Sequence, residues 1–353
     1  MSSSKPTVLV TGSAGHLGKA LMLALPSLGY NPVGIDINPS ETTTLVGSIT
    51  DTAFLSRVFA EHRIQHVIHA ATLHKPHVGS HSKNDFVQTN VAGTVHLLEQ
   101  AAAAAGAAAV KGFVYLSTTS AFGSALRPAR GDPAAWIDEG VAAAAAVRPK
   151  NIYGATKTAA EDICYLVHAE TALPVVVLRT ARFFPEEDDD EDRRASMGGE
   201  NLKVLELAYR RVDVSDVVGA CVAAMRRMEE GAVGWGKYVI SAPTPFRREE
   251  AVLRGLEEDA GRVFREAVEG CAEVFERKGW RFLDRVDRVY DSRRAVEELG
   301  WRPEYTFERA IEKIARGEEW RSELTFRVGK LGYHTVSTGV YTQRDDPRTV
   351  MDA

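Results

Sequence analysis

The chain has 353 residues, 44% hydrophobic and 26% charged, which excludes a disordered, collagenous or fibrous protein and allows one large domain with a smaller lobe. Its 43 Lys and Arg against 48 Asp and Glu give a net charge of -5, so no basic excess marks a nucleic-acid or anionic-membrane partner. Three scattered cysteines (Cys164, Cys221, Cys271) form neither a disulfide framework nor a metal motif, and the N-terminus lacks the apolar run of a signal peptide. The expectation is a soluble, cytoplasmic protein with no metal.

Short apolar strands alternate with helical stretches through the first half. Thr7–Val10 is a strand, then a glycine turn, then a helix from Leu17 to Leu28. Pro32–Asp36 and Val67–Ala70 are strands flanking a helix around 52–62. A long helix from Asn90 to Ala105 precedes the strand Gly112–Ser117. A helix from Asn151 to Glu170 leads to the strand Pro174–Leu178. This order predicts an α/β fold, a doubly wound parallel sheet buried on both faces, with a small C-terminal α/β lobe. Residues 1–180 and about 212–235 are assigned to the dinucleotide domain, and 181–211 with 236–317 to the lobe. Residues 318–353 are expected to be a surface tail. The seven consecutive acids Glu186–Asp192 read as a solvated loop.

Thr11-Gly12-Ser13-Ala14-Gly15-His16-Leu17-Gly18 lies between the first strand and the first helix. Glycines there permit a tight turn, a close approach to a diphosphate and helix–strand packing, and the helix N-terminus faces the phosphates. Asp36 ends the second strand, where a carboxylate accepts bonds from ribose hydroxyls and repels a 2′-phosphate, so NAD is expected over NADP. Tyr153 and Lys157, four apart on one helix, share a face. A tyrosine hydroxyl titrates near 10, and a neighbouring ammonium favours the phenolate a base needs. Ser117-Thr118-Thr119-Ser120 places hydroxyls at a strand end nearby.

The glycine turn, His69-Ala-Ala71, Asn90-Val-Ala-Gly-Thr94, Ser117–Gly123, Tyr153-Gly-Ala-Thr-Lys157, Leu178-Arg179, Val212–Asp216 and Asp291–Trp301 resemble the extended short-chain dehydrogenase/reductases. The resemblance covers about residues 7–317 and is to the NAD-dependent epimerase/dehydratase group typified by UDP-glucose 4-epimerase. It implies Thr118, Tyr153 and Lys157 as the catalytic set. It implies a cofactor site made of Gly12, Ala14, Gly15, His16, Leu17, Gly18, Asp36, Ser48, Ile49, Ala70, Ala71, Thr72, His74 (or Lys75), Asn90 and Ser117, together with Tyr153 and Lys157. It further implies a homodimer paired through the helices equivalent to 84–105 and 151–170.

Two departures bear on the reaction. The dehydratases carry an acid after the catalytic hydroxyl, whereas Thr119 and Ser120 stand here, which disfavours dehydration. Beyond Leu178-Arg179 the family usually carries Asn against the sugar-nucleotide diphosphate, and this chain has Arg182, suited to phosphate or carboxylate. Arg210, Arg211 and Arg281 are further candidates for a substrate anion, alongside Thr119 and Ser120 at the substrate. The histidines between His62 and His96 match no zinc spacing. The resulting expectation is epimerisation of a nucleotide sugar at C4 through a transient keto sugar. The rival is a net NAD-dependent dehydrogenase/reductase of a sugar, sugar acid or small carbonyl. A non-catalytic NAD sensor ranks lower, because such members generally lose the Tyr or the Lys.

Overall fold

The computed structural model describes residues 5–104, 109–123, 126–144, 148–184 and 195–331. The acidic run 186–192 and the tail beyond 331 therefore lie outside the described residues. Eleven strands are described: β1 Thr7–Thr11, β2 Asn31–Asp36, β3 Leu45–Val46, β4 Ile64–His69, β5 Gly112–Thr118, β6 Ala135–Ile137, β7 Val175–Thr180, β8 Arg182–Phe183, β9 Arg211–Val212, β10 Trp235–Ile240 and β11 Arg288–Tyr290. Seven of them form one sheet in the order β10-β7-β5-β4-β1-β2-β3, and every pairing in it is parallel.

Period-two alternation sends the side chains of each central strand to opposite cores. Val8 and Val10 face the core shared with the helices His16–Ala24 and Val214–Glu229, while Leu9 faces the helices Thr52–Glu61, Gly93–Ala103 and Ile152–Thr171. Strand β5 divides in the same way, Val114 and Leu116 on one side and Phe113 and Tyr115 on the other. Continuous apolar strands are what a sheet covered on both faces requires. The strand order reverses between β1 and β4, so a crevice opens at their carboxyl ends, beside Thr11–Gly12 and His69–Ala70.

A second core belongs to the lobe. Trp136, Phe184, Leu205, Phe264, Phe275, Phe307 and Trp320 pack together there, among helices that include Gly199–Leu207, Glu250–Glu258 and Phe307–Ala315. Two short parallel pairs, β6–β11 and β8–β9, border it.

The structure moves several boundaries. The first helix ends at Ala24 rather than Leu28, because Pro26 and the positive-φ Gly29 turn the chain back toward Asn31. The helix expected from Asn90 begins at Lys83, capped by Ser82, and passes through a π turn at Val87–Ala92 before continuing as Gly93–Ala103. Residues 135–137 leave the dinucleotide domain to join the lobe, where the Trp136 indole donates to Asp291 at 2.9 Å. The start of the supposed tail is structured: Ser322 caps the helix Glu323–Val328, and Val328 enters the main core.

Candidate functional site

The glycine turn leaves β1 with Gly12 at φ +74, and a Cβ there would lie 2.7 Å from the Ala71 nitrogen. A Cβ on Gly18 would lie 1.9 Å from the Gly12 carbonyl oxygen, so the helix packs on the turn only as glycine. Gly15 caps the helix with no side-chain bond, which leaves the first N–H groups to a ligand. Asp36 is held in place by the turn itself: Ala14 N–H donates to one carboxylate oxygen at 3.0 Å and Asn38 N–H to the other at 2.8 Å.

These residues open onto a cleft of about 2260 Å³, also lined by Ala14, His16, Leu17, Ser48, Ile49, Ala70, Ala71, Thr72, His74 and Lys75. Its size exceeds the roughly 300–1,000 Å³ of a small-ligand pocket and accommodates a dinucleotide with a second molecule beside it. The turn, the uncapped helix end and the anchored carboxylate at the end of β2 together suit such a dinucleotide.

Beneath the cleft, His69 bridges the Thr11 hydroxyl at 2.8 Å and the Thr94 hydroxyl at 3.0 Å. Full burial, reinforced by the Lys157 charge, pushes its pKa well below the ordinary histidine value, so it is a neutral strut. Asn90 is also a strut. Its side chain accepts from Leu73 N–H and the Thr72 hydroxyl and donates to Leu73 C=O and the Thr156 hydroxyl, all at 2.8–3.0 Å. It is 1% exposed and does not line the cleft, so the cofactor contact expected of it is replaced by support for the Thr72–Leu73 wall.

The reactive end is built from β5 and the helix Ile152–Thr171. Thr118 closes β5, and its hydroxyl accepts from Ser120 N–H at 3.1 Å. Thr118, Thr119, Ser120 and Tyr153 all line the cleft. The Asn151 side chain caps the helix by accepting from Gly154 N–H at 3.0 Å, which sets Tyr153 in the first turn. A Cβ on Gly154 would sit 3.0 Å from the Ser120 carbonyl oxygen, so glycine lets the hydroxyl turn and the tyrosine helix approach closely.

Lys157 follows one turn below Tyr153 and is 2% exposed, its ammonium 4.2 Å from the Tyr115 ring centroid. Burial lowers its pKa to about 7 against the opposing pull of Glu161. Glu161, fully buried one further turn on, had no place in the sequence reading. Arg179 grips it in a fork at 3.0 and 2.6 Å, and Lys237 lies 3.3 Å away. Burial opposes its charge, but the Arg179 bonds override that and hold the carboxyl below its usual range. Ser117 lines the cleft, yet its hydroxyl donates to Glu161 and is committed below the site rather than to a ligand.

The distal wall carries Arg182, Lys203 and Arg210. Arg182 has a protein counter-charge, since Glu206 lies 3.6 Å away. Glu206 also pairs with Arg210 and with Arg211, the latter at 2.6 Å. Arg211 is completely buried in that cluster and does not line the cleft, so it orients Glu206 rather than meeting a substrate. Arg281 is exposed on the lobe, its backbone N–H bound to Asn201, and is likewise off the cleft. His74, His77 and His81 stack edge to face with centroids 4.5 and 5.2 Å apart.

A family model described as the NAD dependent epimerase/dehydratase family matches residues 8–240. The chain is 27% identical over 195 residues to a dTDP-D-glucose 4,6-dehydratase of Dictyostelium discoideum, covering 50% of this chain and 44% of that one. It is 36% identical over 126 residues to a UDP-glucose 4-epimerase of Rhizobium leguminosarum bv. trifolii, covering 33% of this chain and 37% of that one. Thus it spans less than half the length of either relative. Its fold is similar to that of a UDP-glucose 4-epimerase of Thermotoga maritima solved with UDP-glucose, with a TM-score of 0.57 and 22% identity over 88% of this chain and 99% of that one.

Proposed function

From the premise that this chain belongs to the NAD-dependent epimerase/dehydratase family, we propose that it is a sugar epimerase acting at C4 of a nucleotide sugar. The observation that carries the reading is the placement of Tyr153 on the wall of the dinucleotide cleft beside Thr118, directly above the buried Lys157. Bound NAD supplies the acceptor for a substrate hydride and the source that returns it.

Tyr153 takes the proton of the C4 hydroxyl and later gives it back. Lys157 favours the phenolate by its charge. Thr118, oriented through the Ser120 N–H, holds the C4 oxygen. Epimerisation requires the keto sugar to turn and present its other face, and a cleft wider than one small ligand gives it room. Dehydration needs an acid or base beside the hydroxyl to remove water, and Thr119 and Ser120 offer neither. At the far end Arg182 and Arg210 supply planar, permanently charged forks matched to a diphosphate.

The test is to incubate the protein with UDP-glucose or UDP-glucuronate and assay the products. The expected result is the C4 epimer with no net change in NADH absorbance. A 4-keto-6-deoxy sugar, or NADH formed in proportion to product, overturns the reading. In the same assay Arg182→Ala is expected to lose about tenfold or more in kcat/KM on a nucleotide sugar, the worth of one charge-assisted contact, while a free neutral sugar is unaffected.

A further inference from the structure

The glycine turn contains no cationic side chain that could meet a diphosphate: between Thr11 and Gly18 its charge comes only from the helix end. His16 does not supply one. It is 3% exposed, and burial, with the charges of Lys19 and Lys330, lowers its pKa to about 3, so its ring is neutral. Lys19 is engaged with Glu41 at 3.0 Å.

A cation is delivered from the opposite end of the chain. Asp213, fully buried ahead of the helix Val214–Glu229, accepts from Ser322 N–H at 3.0 Å, from the Ser322 hydroxyl at 2.5 Å and from the Thr325 hydroxyl at 3.2 Å. These bonds fix the start of the helix Glu323–Val328, and Val328 buries its end in the main core. The segment then turns at Gly329, and the Leu331 N–H donates to His16 Nε2 at 2.8 Å. Gly329, Lys330 and Leu331 consequently share the lining of one cleft with Gly12, Gly15 and Gly18.

We propose that Lys330 is a diphosphate-binding residue of the dinucleotide site, carried onto the glycine turn by a C-terminal strap fastened at Asp213 and at His16. This rests on the NAD reading of the cleft. The neutral His16 serves as the acceptor that docks the strap, and Lys330 brings to the turn a positive charge that its own residues lack. Its ammonium adds a salt-sensitive contact to the N–H groups of the helix end.

The test uses the full chain stripped of cofactor, with calorimetric titration of NAD and of adenosine, which has no phosphate. The parent is expected to bind NAD, and Lys330→Gln to bind it about fivefold more weakly with a shallower dependence on salt. Lys330→Arg is expected to restore most of the affinity, and adenosine binding to stay constant across all three proteins. Equal NAD affinity in Lys330→Gln overturns the assignment. So does a parallel loss for adenosine, which would mean the substitution disturbs the cleft rather than removing a phosphate contact. A parent that binds adenosine but not NAD overturns the NAD reading, and the assignment with it.

Discussion

Tyr153 and Lys157 show how far single residues can be read. Their spacing alone put both on one helical face, and the structure sets one on the cleft wall and the other in the dry layer beneath. Tyr153→Phe is expected to reduce turnover by more than tenfold, an effect above about 1.4 kcal/mol, while NAD occupancy measured by absorbance stays near the parent's. Lys157 makes a different prediction, through its pKa. That pKa is near 10.5 in the unfolded chain and about 7 in the folded one, so between these values the unfolded chain holds a proton the folded one lacks. The stability of the cofactor-free protein should therefore rise with pH across that window, and the cost of the buried charge is borne in full below it. Lys157→Met should be more stable than the parent at or below neutral pH, by about 1–3 kcal/mol, and should lose this pH dependence in denaturant titrations. A uniformly less stable variant would contradict it. The position of Asp36 was equally legible, and the structure anchors its carboxylate to the Ala14 N–H of the glycine turn. Glu161 was not. Nothing in a sequence says that an acid one turn past a lysine will meet an arginine from the strand beside it, and the Arg179 fork appears only after β5, β7 and the helix are packed. Arg211 was misjudged for the converse reason, since a charged residue beside the lobe looks exposed until Glu206 buries it.

Among the elements, the strands β1, β2, β4, β5 and β7 were the most legible, since a run buried on both faces leaves no polar position to confuse it, whereas β10 and the short strands were not read. The helical run starting at Lys83 was harder. Its first turns, Lys83, Asn84, Asp85 and Gln88, are polar, and the wider π turn at Val87–Ala92 breaks the regular period. That turn brings Asn90 under the Thr72–Leu73 wall, so the element acts on the cofactor through a loop it supports. Asn90→Ala removes four hydrogen bonds and leaves the half-buried Leu73 N–H without its acceptor, for an expected loss of about 1–3 kcal/mol in thermal unfolding. Because the contact is indirect, the dissociation constant for NAD should rise while kcat at saturating NAD changes little. A fall in kcat without weaker binding would place Asn90 at the chemistry instead.

At the scale of the whole molecule, the doubly wound sheet and the smaller lobe follow from the alternation of elements, but the division between them does not, because β6 crosses into the lobe for the sake of Trp136. Among the described residues no helix is long and apolar enough to cross a membrane. The helix Ile152–Thr171 exposes Tyr165 at 54% and Leu166 at 52%, and the neighbouring helical run exposes Val87 at 41%. Apolar surface of this kind on adjacent helices suits a twofold pairing. Light scattering should show a dimer for the parent and a monomer for Leu166→Glu; a monomeric parent would remove the proposal. The bond between His16 and Leu331 has a consequence in time. Its partners are 315 residues apart, and at roughly 5–20 residues per second of synthesis the turn emerges about 15–60 seconds before the segment that completes it. On the role proposed for the strap, a nascent chain holding β1, β2 and their helices has the cradle without its clasp, and dinucleotide affinity should rise only once synthesis has passed residue 331.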